Sequence, residues 1–275
     1  MLDFIKYIQS FSSPALDSFL TCFNYLSQQF FLVLLVGIVY WTIDKRKGEQ
    51  LAFALVFTVG FSCGTKGVFK ISRPFTYDGI RSLNTGTAPG YSFPSADTAV
   101  AASIATTFAT WTKKPILWIL LLLYTILIGF CRMYFGLHFP IDVLGGMILG
   151  ASIGFGIKCI LSHSKDTFPV YLIAALILVP FAFFGQEPDY FKAMGLMLGA
   201  VCGIYIEHNY VNFNYNINYR RKGARLLLGI VGIIIIAVLS NKLMPNNNLC
   251  YVIEKFLLTF FAVGVYPAIF NKFKF

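Results

Sequence analysis

The chain has 275 residues, of which 57% are hydrophobic and only 12% charged, and its mean hydropathy is +0.70. Those values lie far outside the soluble range and exclude an ordinary soluble enzyme. Apolar runs long enough to cross a bilayer recur along the whole length, so no separate soluble domain can be cut out. The formal net charge of +10 reads as cytoplasmic loops obeying the positive-inside rule; a nucleic-acid partner has nothing else behind it.

The first residues, MLDFIKYIQS, lack a basic n-region and a small-residue cleavage site, which predicts no cleaved signal peptide. Residues 2–27 mix apolar positions with Asp3, Lys6, Gln9, Asp17 and Asn24, and predict an interfacial or partly inserted amphipathic helix pair. Spans are expected at about 28–43, 50–71, 95–111, 115–132, 140–160, 168–184, 191–207, 224–241 and 250–270. The stretch RPFTYDGIRSLNTGTAPGYSFPS, between the second and third spans, is a loop by its Gly, Pro, Ser and Thr content. The linkers LSHSKD, GQEPDY, NYNINYRRKGAR and NKLMPNNN separate later spans. The expected architecture is all-α: a polytopic membrane helix bundle of about nine transmembrane helices, forming one domain over 1–275, with core motifs in 66–142 and additional helices over about 168–270. The six cysteines are scattered, with neither a CxxC nor a metal spacing, and predict free thiols in apolar surroundings.

Basic clusters fix an orientation. Lys45-Arg46-Lys47, Lys113-Lys114, Lys158 with Lys165, Arg220-Arg221-Lys222 with Arg225, and Lys272 with Lys274 all belong inside. The N-terminus then lies outside and the C-terminus inside. Lys66, Arg73, Ser95, Arg132, His138 and Asp142 fall together at the outer ends of their helices. Polar groups at a membrane edge are costly, so their convergence from three segments points to a site. Within CRMYFGLHFPID, residues 131–142, His138 and Asp142 are four apart, the spacing that stacks two side chains on one helix face. A carboxylate one turn from an imidazole can hold its ring and raise its nucleophilicity. Arg132 supplies a planar fork for phosphoryl oxygens.

Three segments line up: KGVFKISRP, with Lys66 and then Arg73-Pro74; YSFPSAD, residues 91–97; and CRMYFGLHFPID. They resemble the type 2 phosphatidic acid phosphatase superfamily, whose pattern is KxxxxxxRP, PSGH and SRxxxxxHxxxD. The first and third spacings match residue for residue, with Cys131 where Ser is usual. The span number and outward N-terminus also resemble the glucose-6-phosphatase branch. The resemblance implies a metal-independent phosphatase without cofactor. His138 would attack phosphorus to form a phosphohistidine, Asp142 would orient it, and Lys66, Arg73, Arg132 and Ser95 would bind phosphate beside helix N-terminal N–H groups. Positioning and electrostatics supply most of the catalysis in phosphoryl transfer. A phosphorylated lipid in the bilayer is the expected partner: phosphatidate, phosphatidylglycerophosphate or a polyprenyl diphosphate, met at the outer face of the plasma membrane.

One position departs from the pattern. Asp97 stands where the family's second motif ends in His, which resembles a general acid for the leaving oxygen, and Ala96 replaces Gly. The cationic cradle and a helix N-terminus favour the charged carboxylate, whereas a bound phosphate dianion favours the protonated one. Three outcomes are open: Asp97 is an acid raised by substrate, the enzyme works without one, or the pocket is a catalytically weak lipid-phosphate binder or transporter. A sugar-phosphate phosphatase is a further alternative. A haloperoxidase sharing the cradle is disfavoured by the membrane composition.

Other polar residues have plainer readings. Lys70 snorkels, and Arg81 and His163 are solvated. Tyr91 packs or lines the pocket, and Glu207-His208 caps or anchors its helix. Gly145, Gly146, Gly150 and Gly154 permit close helix packing.

Overall fold

The computed structural model describes residues 1–88, 90–164, 167–184 and 188–273. Lys165, Lys274 and parts of the LSHSKD and GQEPDY linkers (165–166 and 185–187) lie outside the described residues. Among the described residues the regular structure is entirely helical. Its helices are α1 (Leu2–Ser10), α2 (Pro14–Asn24), α3 (Gln29–Ile38), α4 (Lys45–Phe69), α5 (Ala96–Ala109), α6 (Pro115–Tyr134), α7 (Pro140–His163), α8 (Phe168–Leu178), α9 (Pro188–Ile206), α10 (Tyr219–Leu243), α11 (Asn248–Phe260) and α12 (Tyr266–Phe273). Wider π-type turns over Val39–Ile43, Glu207–Val211 and Phe261–Val265 extend α3, α9 and α11.

Each expected span is helical, but the count of nine is not confirmed. Among the described residues, six helices are long and apolar enough to cross a membrane, or seven if the bent pair Pro14–Ser27 and Phe31–Ile43 forms one span. The shortfall has a physical reason. α5 is only 14 residues long and reads ADTAVAASIATTFA, and most of it is buried. A helix walled by other helices needs neither the length nor the hydropathy of a lipid-facing span. By contrast, α10 keeps only Arg225, Gly229 and Ser240 buried and presents leucine, isoleucine and valine outward.

The glycines of α7 are used inside the molecule. Gly146 meets the Ser95 carbonyl, Gly150 the Ala99 carbonyl and Gly154 the Ser103 carbonyl and Thr106 side chain. A ridge of small residues on α5 thus lies directly on α7, which sets where both helices begin. A Cβ at Gly150 would be driven into the Ala99 backbone oxygen, and neither backbone can step aside. Gly150→Leu is therefore expected to cost at least the roughly 1–3 kcal/mol of core overpacking. A lowered unfolding temperature in detergent, with a loss of phosphate-analogue binding, would be its signature; an unchanged melt would show that the α5–α7 contact is not tight.

The end of the bundle away from the predicted site is closed by ion pairs. Lys45 Nζ lies 2.6 Å from Glu207 Oε2, and His208 Nε2 lies 2.7 Å from Glu49 Oε1. Glu207 Oε1 also accepts the Phe213 N–H at 3.0 Å, so this pair anchors α9 as expected. Arg46 donates to the Ser164 carbonyl at 2.7 Å and ties the end of α7 to the start of α4. At the opposite end, α1 and α2 fold over the 70–95 loop: Gln9 Nε2 donates to the carbonyls of Arg81 at 2.7 Å and Tyr134 at 2.8 Å. Arg81 is not merely solvated, since it forms an ion pair with Asp17. All six cysteines are free.

Candidate active site

His138 sits on a three-residue bridge whose ends are set by sequence. α6 ends in a Schellman-type turn: Gly136 adopts φ +70°, and the Leu137 N–H donates back to the Arg132 carbonyl at 3.0 Å. Glycine suits that left-handed position at little cost. Pro140 opens α7 at a position where its missing N–H costs nothing. Leu137, His138 and Phe139 are left to cross between the helices, with His138 1% exposed.

Asp142 stands in the first turn of α7, and one of its oxygens both caps the helix and faces the imidazole. Its Oδ2 accepts the Phe139 N–H at 2.7 Å and lies 3.5 Å from His138 Nδ1. Ser92 also donates to Oδ2, with its hydroxyl 3.4 Å from His138 Nδ1. On the other side of the ring, Arg73 NH1 stands 3.1 Å from His138 Nε2. A guanidinium only donates, so Nε2 is the acceptor and Nδ1 carries the proton, pointing toward Asp142. The lone pair of Nε2 is thereby directed into the cationic side of the site.

Arg73 is held by the Gly90 carbonyl at 2.8 Å and the Leu137 carbonyl at 3.1 Å. Arg132 is fully buried, and its NH2 pairs with Asp97 Oδ2 at 2.9 Å. Lys66, 8% exposed, and Asp97 both line a cavity that opens at the site. Ser95 stands at the start of α5 as its N-cap residue, but its hydroxyl bonds Thr98 Oγ1 at 2.9 Å and does not cap the helix. Its N–H donates to the Asp142 carbonyl at 3.0 Å and joins the starts of α5 and α7.

The structure thus brings Lys66, Arg73, Arg132, His138, Asp142, Asp97 and Ser95 to one end of the bundle. Lys70 is exposed, where snorkelling was expected, and His163 is exposed at the far end of α7, bonded to the Cys159 carbonyl at 2.7 Å. Sequence reasoning missed Ser92. It lies outside the matched spacings and reaches Asp142 only because the loop folds back, with the Ser92 N–H on the Ile71 carbonyl at 2.8 Å. It also missed Asp189 and Lys192, which α9 brings to the same cavity. A group of Glu49, Glu207 and His208 has ligand-type atoms within 4.8 Å of one another; it belongs to the opposite end, where Lys45 offsets its charge.

Burial, and then the cations Arg73, Arg132 and Lys66, hold the His138 imidazole well below its ordinary value of 6.5. A nucleophilic imidazole must be neutral, and a lowered value keeps it neutral to more acidic pH. The expected kcat/KM profile therefore has no acid limb from His138 at or above pH 6.5. The acid limb that remains belongs to the substrate phosphate, with its second ionisation near about 6. A second acid limb at or above 6.5 would contradict this electrostatic picture.

Two family models match the chain: the PAP2 superfamily over residues 48–166, and the PAP2 superfamily phosphatase transmembrane extension over residues 191–275. A probable sphingosine-1-phosphate phosphatase of Dictyostelium discoideum is 25% identical over 287 residues, covering 86% of this chain and 70% of that protein. An undecaprenyl-diphosphatase of Sulfolobus acidocaldarius is 29% identical over 111 residues, 40% of this chain and 53% of its own length. The crystal structure of Aquifex aeolicus LpxE is similar with a TM-score of 0.51 and 32% identity, over 57% of this chain and 94% of that one. The chain belongs to the PAP2 superfamily, the type 2 phosphatidic acid phosphatase family whose motifs it carries, as a multi-pass membrane phosphatase with the transmembrane extension.

Proposed function

We propose that the chain, acting as one unit over 1–275, hydrolyses a phosphorylated lipid or lipid diphosphate through a phosphohistidine on His138. The observation that carries this reading is the imidazole held between Asp142 at Nδ1 and Arg73 at Nε2. Arg73, Arg132 and Lys66 hold the non-bridging oxygens and offset the charge of the transition state, so the reading requires no metal. Nε2 attacks phosphorus in line and the phosphorus–oxygen bond to the lipid breaks. The leaving oxygen takes its proton from water or from Asp97. Water then cleaves the phosphorus–nitrogen bond, which releases inorganic phosphate and restores the neutral imidazole. Ser92 and Asp142 hold the ring and balance the charge it gains on phosphorylation.

The substrate class follows the relatives' names, a sphingoid phosphate and an undecaprenyl diphosphate, and includes phosphatidate and phosphatidylglycerophosphate. The site faces the outside in this reading, because Lys45–Lys47, Lys113-Lys114 and Arg220–Arg225 fall at the opposite helix ends and basic loops favour the cytoplasm. The host membrane is taken to be the plasma membrane. A second reading, a lipid-phosphate binder with little turnover, is favoured by one observation: Asp97 occupies the Arg132 fork. Purified protein is expected to release phosphate from one or more of phosphatidate, phosphatidylglycerophosphate, a sphingoid-base phosphate and undecaprenyl diphosphate, and less from glucose 6-phosphate. No release from any of them, by folded protein that still binds phosphate analogues, would reject hydrolysis and leave the binder.

A further inference from the structure

A cavity of about 460 Å³ begins at the site and runs between the motif-bearing helices and the C-terminal ones. Lys66, Asp97, Asp189 and Lys192 surround its polar end, and Tyr40, Trp41 and Glu49 lie along the other end. Lys66 and Glu49 are seventeen residues apart on α4, which at 1.5 Å per residue is about 25 Å. That is most of the roughly 30 Å hydrocarbon thickness of a bilayer. The wall between is aliphatic: Leu55, Val56 and Val59 from α4 face Leu196 from α9 and Leu258 from α11. A volume in the hundreds of Å³ with a few polar groups at one mouth has the form of a ligand site.

We infer that this cavity is the binding site for the hydrocarbon tail of the substrate, which lies inside the protein between α4 and the helices of the transmembrane extension instead of in the surrounding bilayer. The occupant is an amphiphile with a terminal phosphate. Lys66 and Asp97 belong to both the phosphate site and the cavity, so a phosphate seated near His138 leaves its chain at the open end of an apolar tube. Asp189 and Lys192, an ion pair at 2.8 Å, stand where the polar backbone of the lipid would pass. A smaller crevice between α3 and α10 shares Val33, Gly37, Trp41 and Ile233 with the cavity and offers the chain a lateral route from the bilayer. The transmembrane extension thereby completes the wall of the tail site. For its headgroup end the inference rests on the phosphatase reading.

Two measurements test it. The first needs no turnover. A single-chain alkyl phosphonate with a diazirine at the chain end is photolysed with the wild-type protein in nanodiscs, and the adducts are mapped. Adducts on Trp41, Ala52 or Val263, suppressed by excess unlabelled long-chain phosphonate, are the expected result. Adducts confined to lipid-facing positions such as Leu122 and Leu123 on α6 would overturn it. The second is a chain-length series of one phosphate headgroup, comparing wild type with Val59→Trp and Leu55→Trp. Filling the tube should lower the long-chain to short-chain ratio of kcat/KM at least tenfold; a ratio unchanged in folded variants would overturn the inference. If no substrate turns over, the phosphatase reading fails on its own and the crosslinking still decides where the tail lies. If a variant does not fold, the crosslinking of wild type decides likewise.

Discussion

His138→Ala is expected to lower kcat by about 10⁵-fold, as removal of a nucleophile does in other covalent enzymes. The corresponding loss of transition-state stabilisation is about 7 kcal/mol. The pocket should survive the change, because Arg73 keeps its bonds to the Gly90 and Leu137 carbonyls and Asp142 keeps its cap on Phe139 and its bond from Ser92. Binding of a non-hydrolysable alkyl phosphonate should therefore change little while phosphate release vanishes. That separation distinguishes loss of the attacking atom from loss of the fold. With ³²P-labelled substrate and rapid acid-free quenching, wild type should retain label on the chain and the variant should not. Turnover within tenfold of wild type would mean that water attacks directly, and the phosphohistidine step would have to be abandoned.

The site is legible in the sequence because its chemistry is expensive in a membrane. Lys66, Arg73, Arg132, His138 and Asp142 are conspicuous among apolar residues, and two of the three segments keep their residues close in sequence across a helix end, Lys66 to Arg73 past the end of α4 and Arg132 to Asp142 across the turn from α6 to α7. His138 and Asp142 can be paired from spacing because they flank a Pro that starts a helix. Ser92 cannot. Its contact with Asp142 depends on how a long loop returns to Ile71, and no periodicity records a loop path. The span count is not confirmed for a related reason. Length and hydropathy report how long and apolar a segment is, not whether lipid or protein surrounds it, so the buried, small-residue α5 falls outside a count that the lipid-facing α10 enters. The direction of the Ser95 hydroxyl toward Thr98 and the pairing of Asp97 with Arg132 are side-chain choices among several partners of similar reach. Sequence spacing does not rank them.

That last pairing makes Asp97→His the variant with the largest expected gain. In the resting site the carboxylate accepts from Arg132 at 2.9 Å, so a substrate phosphate must displace it from the fork it needs. A histidine there removes the competition and can bring a proton for the leaving oxygen. General acid catalysis contributes about 10²–10⁴-fold where the leaving group is a poor one. Alkoxides of monoesters are poor leaving groups, whereas the phosphate of a diphosphate leaves with less help. Asp97→His should therefore raise kcat on a lipid monoester by about tenfold or more and change kcat on a lipid diphosphate far less. Asp97→Asn separates the two effects. It abolishes the anion that competes for Arg132 but supplies no acid, so it should lower KM on both substrates and leave the monoester kcat near that of wild type. If Asp97→Asn and Asp97→His raise the monoester kcat equally, competition for Arg132 is the whole effect and the missing acid is of no consequence. If both lower kcat on monoester and diphosphate alike, Asp97 is itself the working acid, delivered from Arg132 to the leaving oxygen once the phosphate takes its place.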